Sequence, residues 1–539
     1  MSLSSSRHFF EIAGIFCLSF VLFIWGVNTQ EVVGFESRFY LFALEMWQNG
    51  PSWFPTTYHQ PYPDYPATST LLIYLTAGFL GKMDRLAAVI PTAIAASLTM
   101  VITYMLGALH KKLWGLYAVF FLFFTLIFLK SARGITLDIY TTLITTACFY
   151  RVYAMDKANS HAREWWIYWL LILGFAFRGP IGLIIPTGVM CTYYLLDRNF
   201  KDLFFTSVFA LFLLMVCTLL LLTIAHKHGG HEFVHAVLRM EIMGRMAQNH
   251  LPYYFYFTTA FKDYAISYIF AFFVAIGVLY YEQRLHHIYP ELKLLVKLLG
   301  WVMIIMLGMS IPGDKKIRYV LAISPALALM AAYPFVAPKS KLYFTFLAWL
   351  GLRFFLILPV LLFIALRVVL RYSIQHNYAF AIPYLGLTQI LFTALAFNVV
   401  MYLWLTKRQV WRTTGILAVG TLSFVASYIL AVEPIQQYLD RAQQFVQRIE
   451  AERKREHATL VFYKETVDGL PIKYLINMPM RETPVFINDE MQLMQYDEPA
   501  FFVTSEAYYR LLSSTATAHF RTIASDSIGH VPVVVFANN

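Results

Sequence analysis

The chain has 539 residues, of which 59% are hydrophobic, 17% aromatic and only 14% charged, against roughly 25% charged in an ordinary soluble domain. This excludes a soluble globular protein and places the chain in the integral membrane class. The net charge of +11 would suit nucleic acid, but the basic residues sit in short loops between apolar runs, which is how membrane topology is encoded. Nucleic acid is therefore not an expected partner.

The first apolar run covers residues 9–28. Arg7 before it resembles the start of a signal peptide, yet the run is nearly membrane-spanning, lacks a small-x-small cleavage site and is followed by many others. An uncleaved anchor is expected. Just beyond it, residues 34–75 crowd Glu36, Arg38, Glu45, His59 and Asp64 among aromatics and prolines, where charge is costly without a use. The stretch reads as the floor of an active site. Glu36 and Arg38 open a helical pattern of Phe39, Phe42, Ala43, Met46 and Trp47, expected to lie along the membrane surface. Asp64 stands in Pro61-Tyr62-Pro63-Asp64-Tyr65-Pro66, where proline restricts the chain to extended and turn conformations. A carboxylate fixed there can be a metal ligand, a base, an acceptor for a sugar hydroxyl, or simply a turn residue.

Twelve more apolar runs follow, 86–109, 113–130, 136–154, 164–177, 179–197, 202–224, 264–281, 293–311, 317–337, 342–370, 383–405 and 412–432. Together they predict about 13 transmembrane helices. A shorter run, 67–80, is either a span or a surface helix, and loop charge decides. If 67–80 does not cross and the N-terminus is cytoplasmic, six basic loops fall inside, as the positive-inside rule asks. They are marked by His110-Lys111-Lys112, Arg151 with Lys157, Arg198 with Lys201, Lys293 with Lys297, Lys339 with Lys341, and Lys407-Arg408. The outer face then carries the loops 29–85 and 225–263 and everything after 432. Cys17, Cys148, Cys191 and Cys217 all fall inside apolar runs, without metal-ligand spacing, and read as packing residues.

Several outer positions carry charge against this bias. Arg133 and Asp138 flank the start of a span, and an intramembrane carboxylate is a functional hypothesis by default. Arg133 is its expected partner; a structural ion pair pinning two spans is the alternative. Arg178, in Phe177-Arg178-Gly179-Pro180, has almost no loop to hide in, so it points into a cavity or snorkels to lipid phosphate. Gly313-Asp314-Lys315-Lys316-Ile317-Arg318-Tyr319 places three cations at one tip, a combination suited to phosphate or diphosphate. His231 and His235, at i and i+4, are a zinc-binding pattern without the full H-E-x-x-H register. Asp64, His231 and His235 are thus the candidate metal ligands, and a divalent cation is the one cofactor considered.

Past Val432 the composition changes. Residues 433–457 read as an amphipathic helix, with Ile435, Leu439, Ala442, Phe445 and Ile449 at helical spacing. Strand-like runs follow at 459–463, 472–476, 484–487, 500–503 and 532–536, with a helical segment at 505–512. The chain is therefore expected to be an α-helical polytopic membrane domain, 1–432, followed by a small α/β domain, 433–539.

The ordered motifs resemble those of the GT-C glycosyltransferases that use polyprenyl-phosphate sugars, above all the lipid A aminoarabinose transferases, with the protein O-mannosyltransferases as more distant relatives. Phe35-Glu36-Ser37-Arg38-Phe39 occupies the place of the family's D-E-x-R-Y, with Phe35 where the leading Asp stands. Pro63-Asp64-Tyr65-Pro66-Ala67 replaces F-E-K-P-P, with Tyr65 for a phosphate-binding Lys. Arg133 with Asp138 fits A-R-x(4)-D, Arg178-Gly179-Pro180 fits K-G-P, and Lys315 to Tyr319 followed by Pro325 fits S-K-R-x-x-Y and P.

The resemblance implies transfer of a sugar from an undecaprenyl-phosphate-type donor to lipid A or another envelope acceptor, with inversion, at the outer face of a bacterial inner membrane. Glu36, Asp64 and Asp138 are the expected catalytic carboxylates. Arg38, Tyr65, Arg133, Arg178, Lys315, Lys316, Arg318 and Tyr319 are the expected substrate-binding residues. The departures at Phe35 and Tyr65 keep open a relative that binds polyprenyl or lipid phosphate without transfer, and a protein hydroxyl remains an alternative acceptor. A carrier is disfavoured, since no pair of interrupted helices recurs between two halves.

Overall fold

The computed structural model of the protein describes residues 3–34, 36–64, 66–158, 165–240, 251–284, 290–405, 408–478 and 483–538. Among these, nine helices are long and apolar enough to cross a membrane, and Lys112–Phe123 with Leu126–Ala132, meeting at 78°, forms a tenth if taken as one broken span. The helix Trp166–Leu196 holds two of the expected runs, because it turns back on itself at Arg178 (φ −137°, ψ 16°) and Gly179 (φ 59°, ψ −148°). A Cβ on Gly174 would lie 2.2 Å from the Gly182 carbonyl oxygen. Eight residues of unbroken helix would hold these positions about 12 Å apart. The helices Asp138–Lys157 and Ala265–Arg284 occupy the two remaining expected runs. The first is rich in threonine, which a membrane interior tolerates when the hydroxyls are satisfied: Thr142, Thr145 and Thr146 donate to the carbonyls of Asp138, Thr141 and Thr142 at 2.8, 2.7 and 2.6 Å. The chain is a multi-pass membrane protein.

Two helices are shorter than a membrane span. Glu36–Asn49 buries Phe39, Phe42, Ala43 and Met46 of the expected stripe, while Trp47 is exposed. Thr68–Leu80 has 13 residues, about 20 Å of helix against the roughly 30 Å hydrocarbon core. The region 225–263, expected to be a loop, is helical over much of its described length. The helix Phe200–Leu238 bends at Gly229 and Gly230 and continues, carried by Phe233, Val234 and Val237, and Phe255–Asp263 forms another helix.

The basic loops gather at one end of the bundle. Lys112 pairs with Glu11 at 2.8 Å, Lys111 with Glu291 at 3.6 Å, and Lys297 with Asp197 at 2.6 Å and Asp156 at 3.3 Å. The opposite end holds Arg85, Asp138, Arg178 and Arg318, since Arg85–Ala108 and Asp138–Lys157 run from one end to the other.

Beyond Val432 the expected single helix is two, Glu433–Asp440 and Gln443–Arg455, broken where Arg441 is extended. The domain's sheet follows a small hairpin earlier in the chain, β1 (Thr56–Thr57) with β2 (Gln60–Pro61). Its strands are β3 (Thr459–Tyr463), β4 (Val485–Ile487), β5 (Ala500–Ser505), β6 (Phe520–Ile528) and β7 (Val531–Asn538), in the order β4-β3-β5-β7-β6. β3 is parallel to β4 and β5, while β7 is antiparallel to β5 and β6. The run 472–476 is not a strand but part of the helix Leu470–Leu475, started by Gly469 and by Pro471 in its first turn, a position proline favours.

A buried ion pair clamps the two domains together. Arg133 Nε lies 2.5 Å from Glu433 Oε1 and Nη2 lies 2.8 Å from Oε2, while the same guanidinium donates to the carbonyls of Leu22, Phe23 and Trp25. Glu31 adds a second grip: its amide donates to Gln437 Oε1 at 2.9 Å, and its carboxylate accepts from the Ala442 and Gln443 amides at 3.2 Å. Removing one partner of a buried pair leaves the other charge uncompensated, at about 3–5 kcal/mol. Glu433→Ala is expected to lower the melting temperature of the purified protein and expose 433–443 to protease, with Glu433→Gln intermediate; a melt and cleavage pattern like wild type would show the clamp to be unimportant.

Candidate active site

The centre of the charged end is Asp138, the first residue of its helix, where the helix N-terminus favours a carboxylate. Arg178 Nε lies 3.0 Å from Oδ1, and Arg318 Nε lies 3.5 Å from Oδ2. Each side chain is placed by a distinct local device. Gly179 occupies a backbone region essentially reserved for glycine, and Pro180 restarts the helix, so the turn presents Arg178 at its tip. Tyr140 stacks on Phe177 at 4.3 Å and fixes the turn against the Asp138 helix. Arg318 begins a short 3₁₀ segment, Ile317–Ile323, that leads into the helix Ser324–Ala332. The Tyr319 ring lies 5.5 Å from the Arg178 guanidinium and 5.6 Å from that of Arg318, a cation–π arrangement, and its hydroxyl donates to Asp314 at 3.1 Å.

A third guanidinium approaches from the surface helix. Arg38 Nη1 donates to the Tyr62 hydroxyl at 3.0 Å, with the ring 5.6 Å away, and Arg38 lies within electrostatic range of Arg318. Burial opposes its charge, but Asp64 and Tyr62 more than offset this, so the Arg38 guanidinium is held above its ordinary value. Asp64 is buried beside it in the Pro61–Pro66 turn, its amide donating to the Tyr62 carbonyl at 2.9 Å. Phe35 and Tyr65 lie outside the described residues.

The two lysines of the 313–319 tip diverge from this centre. Lys315 is buried, donating to the Leu251 carbonyl at 3.0 Å and facing the Tyr253 ring. Lys316 is half exposed, 3.6 Å from Asp314. Of the three cations at this tip, Arg318 is the one that pairs with Asp138.

Glu36 and Arg133 belong to a neighbouring cluster. The expected Arg133–Asp138 pair does not form: Arg133 closes the short helix Leu126–Ala132 and turns to Glu433, while Asp138 opens the next helix and faces Arg178 and Arg318. Glu36 pairs with Arg85 at 3.2 Å, its carboxylate lying against Gly134. Burial pushes its carboxyl above the ordinary range despite Arg85 and Lys130. It lines a cavity of about 80 Å³ with Gln30, Arg85, Lys130, Arg133 and Glu433, and Arg178 and Lys315 are not among its walls. Among the described residues no group of three or more His, Cys, Asp or Glu side chains is arranged to hold a metal ion. Asp64, His231 and His235 therefore do not form the expected metal site; the His231 ring packs on His226 at 4.7 Å.

Sequence reasoning missed Glu433 and the pairing of Arg85 with Glu36. Glu433 and Arg85 both lie at the first turn of a helix, a weak signal, and their partners are distant in sequence.

No known protein-family profile matches the chain. An uncharacterized protein of Aquifex aeolicus is 25% identical over 253 residues, 44% of this chain; the chain spans about half, 47%, of that curated relative's length. The fold is similar to ArnT from Cupriavidus metallidurans in the apo state, with a TM-score of 0.71, 14% identity and coverage of 99% of this chain and 98% of that one. It is similar also to ArnT bound to undecaprenyl phosphate, with a TM-score of 0.66, 14% identity and 98% coverage of both chains. Identity at this level establishes architecture alone: the chain has the ArnT fold, the GT-C arrangement of a multi-span bundle with a small terminal sheet domain.

Proposed function

We propose that the protein is a glycosyltransferase that takes a sugar from an undecaprenyl-phosphate-type donor and transfers it to an envelope lipid, with lipid A as the reference acceptor, at the outer face of a bacterial inner membrane. The observation that carries the reading is the pair of guanidiniums, Arg178 and Arg318, sharing one buried carboxylate at 3.0 and 3.5 Å, with Arg38 close by. Planar guanidiniums at a membrane surface suit a lipid phosphate, which accepts paired hydrogen bonds. The fold supports the same reading, since ArnT has been solved with undecaprenyl phosphate. The gathering of basic loops at the far end supports a cytoplasmic location for that end, which leaves the site and the 433–539 domain outside.

In the proposed step an acceptor oxygen attacks the anomeric carbon as the bond from that carbon to the phosphate oxygen breaks. The electron pair leaves with the lipid phosphate, whose added charge Arg178 and Arg318 stabilise in place. Asp64, beside Arg38, takes the proton of the acceptor hydroxyl. Attack from the side opposite the leaving group inverts the anomeric centre. Asp138 holds the two guanidiniums apart and aimed, and Lys316 and Tyr319 form the edge of the site. Glu36, turned toward Arg85, supports the neighbouring junction instead of the reacting atoms.

Two outcomes test this. A hydrogen bond to a charged group contributes about 1.5–3 kcal/mol, so Arg178→Ala is expected to weaken binding of undecaprenyl phosphate to the purified protein about 10- to 100-fold, with Arg178→Lys recovering part; unchanged affinity would remove Arg178 from the site. Mass spectrometry of lipid A and envelope glycans should lose a sugar-bearing species in a deletion strain and in Asp64→Asn. A deletion profile identical to wild type, in cells holding the lipid donors, would contradict transfer, while loss of a glycoprotein species instead would reassign the acceptor to protein.

A further inference from the structure

A cavity of about 570 Å³ opens at the seam between the two domains, and none of Asp138, Arg178 and Arg318 lines it. Its volume falls in the range of small-ligand sites. One wall is apolar and is built where apolar helices end. Trp25 follows the helix Leu3–Ile24, Ala379 and Pro383 lie between Leu342–Gln375 and Tyr384–Trp404, and Ile429 and Leu430 follow Gln409–Ser427. That wall therefore sits at the bilayer boundary, where Trp25, 63% exposed, takes the place of an interfacial aromatic. Ile429 and Leu430 belong to a π-helical turn, Tyr428–Val432, a rare form that concentrates at functional sites.

The other wall is polar. It comes from the first helices of the terminal domain, through Gln437, Arg441 and Gln444, together with Gln30 and Glu31. Two of these groups carry opposite charge and border the cavity without pairing. Glu31 Oε2 accepts from the Ala442 and Gln443 amides at 3.2 Å, which brings the carboxylate next to the Arg441 backbone. At Arg441 the chain is extended, φ −59° and ψ 141°, and the side chain lies on the Tyr438 ring, its guanidinium 4.5 Å from the centroid. Phe380 braces Tyr438 edge-on at 5.3 Å. Among the described residues neither Glu31 nor Arg441 forms an ion pair, and the remaining acid of the lining, Glu433, is taken by Arg133. Opposite charges beside one cavity attract; held apart, they suit a ligand that carries both signs.

We propose that this cavity binds the headgroup of a phospholipid carrying both a phosphate and a primary ammonium, of the phosphatidylethanolamine class. Arg441 takes the phosphate, to which a guanidinium offers paired hydrogen bonds, and Glu31 takes the ammonium. The acyl chains leave past Trp25, Leu430 and Pro383 into the bilayer, so the apolar wall selects a lipid over the free headgroup. A choline headgroup has no N–H to donate to Glu31, and a glycerol headgroup has no positive charge for it. A bound lipid bridges the two domains at their seam. The proposal does not depend on the transfer reading above.

The test is native mass spectrometry of the full-length protein in detergent, with phosphatidylethanolamine, phosphatidylcholine or phosphatidylglycerol added as the probe. Wild type is expected to retain phosphatidylethanolamine about tenfold better than the other two, and Arg441→Ala to lose about tenfold of that retention, the size of one hydrogen bond to a charged group. Arg441→Lys should recover part. Arg441 is exposed, so the melting temperature of its variants should match wild type. Glu31→Gln keeps an acceptor for the two amides and is expected to remove the preference for phosphatidylethanolamine; should that variant fail to fold, the Arg441 variants decide alone. Equal retention of the three lipids by wild type, the mark of an ordinary lipid belt, would overturn the proposal, as would a preference for phosphatidylglycerol or phosphatidylcholine. Retention unchanged in Arg441→Ala, a preference that survives in Glu31→Gln, or a loss in Arg441→Ala matched by a fall in melting temperature would overturn it as well.

Discussion

Everything at the functional end of the bundle depends on one buried carboxylate, Asp138, held between Arg178 and Arg318. Three separate spans meet there: the helix that begins at Asp138, the turn at Arg178, and the segment that begins at Ile317. An ion pair sunk into a membrane protein is weak evidence for stability, because desolvation offsets much of the Coulomb gain. Its value is geometric. It brings three chain segments into one arrangement and holds two guanidiniums on one carboxylate.

A second ion pair, Arg133 with Glu433, does a different task with similar chemistry. It ties the end of the first helix, through the Leu22, Phe23 and Trp25 carbonyls, to the start of the terminal domain. Glu31 and Gln437 reinforce the same seam. The terminal domain also touches the β1–β2 turn, where the Val467 carbonyl accepts from the Tyr58 hydroxyl and Phe486 meets the Tyr58 ring. The two clusters are neighbours but separate: Glu36 and Arg85 face the seam, and Asp138 pairs with Arg178 and Arg318.

Much of the bundle is legible in the sequence because the bilayer dictates the length of an apolar run and loop charge sets its parity. Arg178-Gly179-Pro180 is readable as a tight turn, since glycine alone tolerates φ 59° with ψ −148°. Partner choice is not readable. Arg133 and Asp138 are five apart in sequence, yet they sit on either side of a helix break and point to different neighbours, one of them 300 residues away. Leu470–Leu475 carries strand-like residues but obeys its Gly-Leu-Pro start. β6 goes unnoticed because its interior is largely exposed and a register shift lies between Thr522 and Ala524, which removes the alternation a strand would otherwise display. The departure at Phe35 is visible in sequence, whereas the contact of Tyr58 with Val467 and Phe486 is visible only once the chain is folded.

The most direct test of the central claim is an experimental structure of the full chain with undecaprenyl phosphate bound. Phosphate density is expected within hydrogen-bonding distance of both Arg178 and Arg318, with Arg38 at its edge and the lipid tail leaving between spans. Phosphate density in the Glu36, Arg85 and Lys130 cavity, or anywhere that leaves the Arg178 and Arg318 guanidiniums without contact, would contradict it.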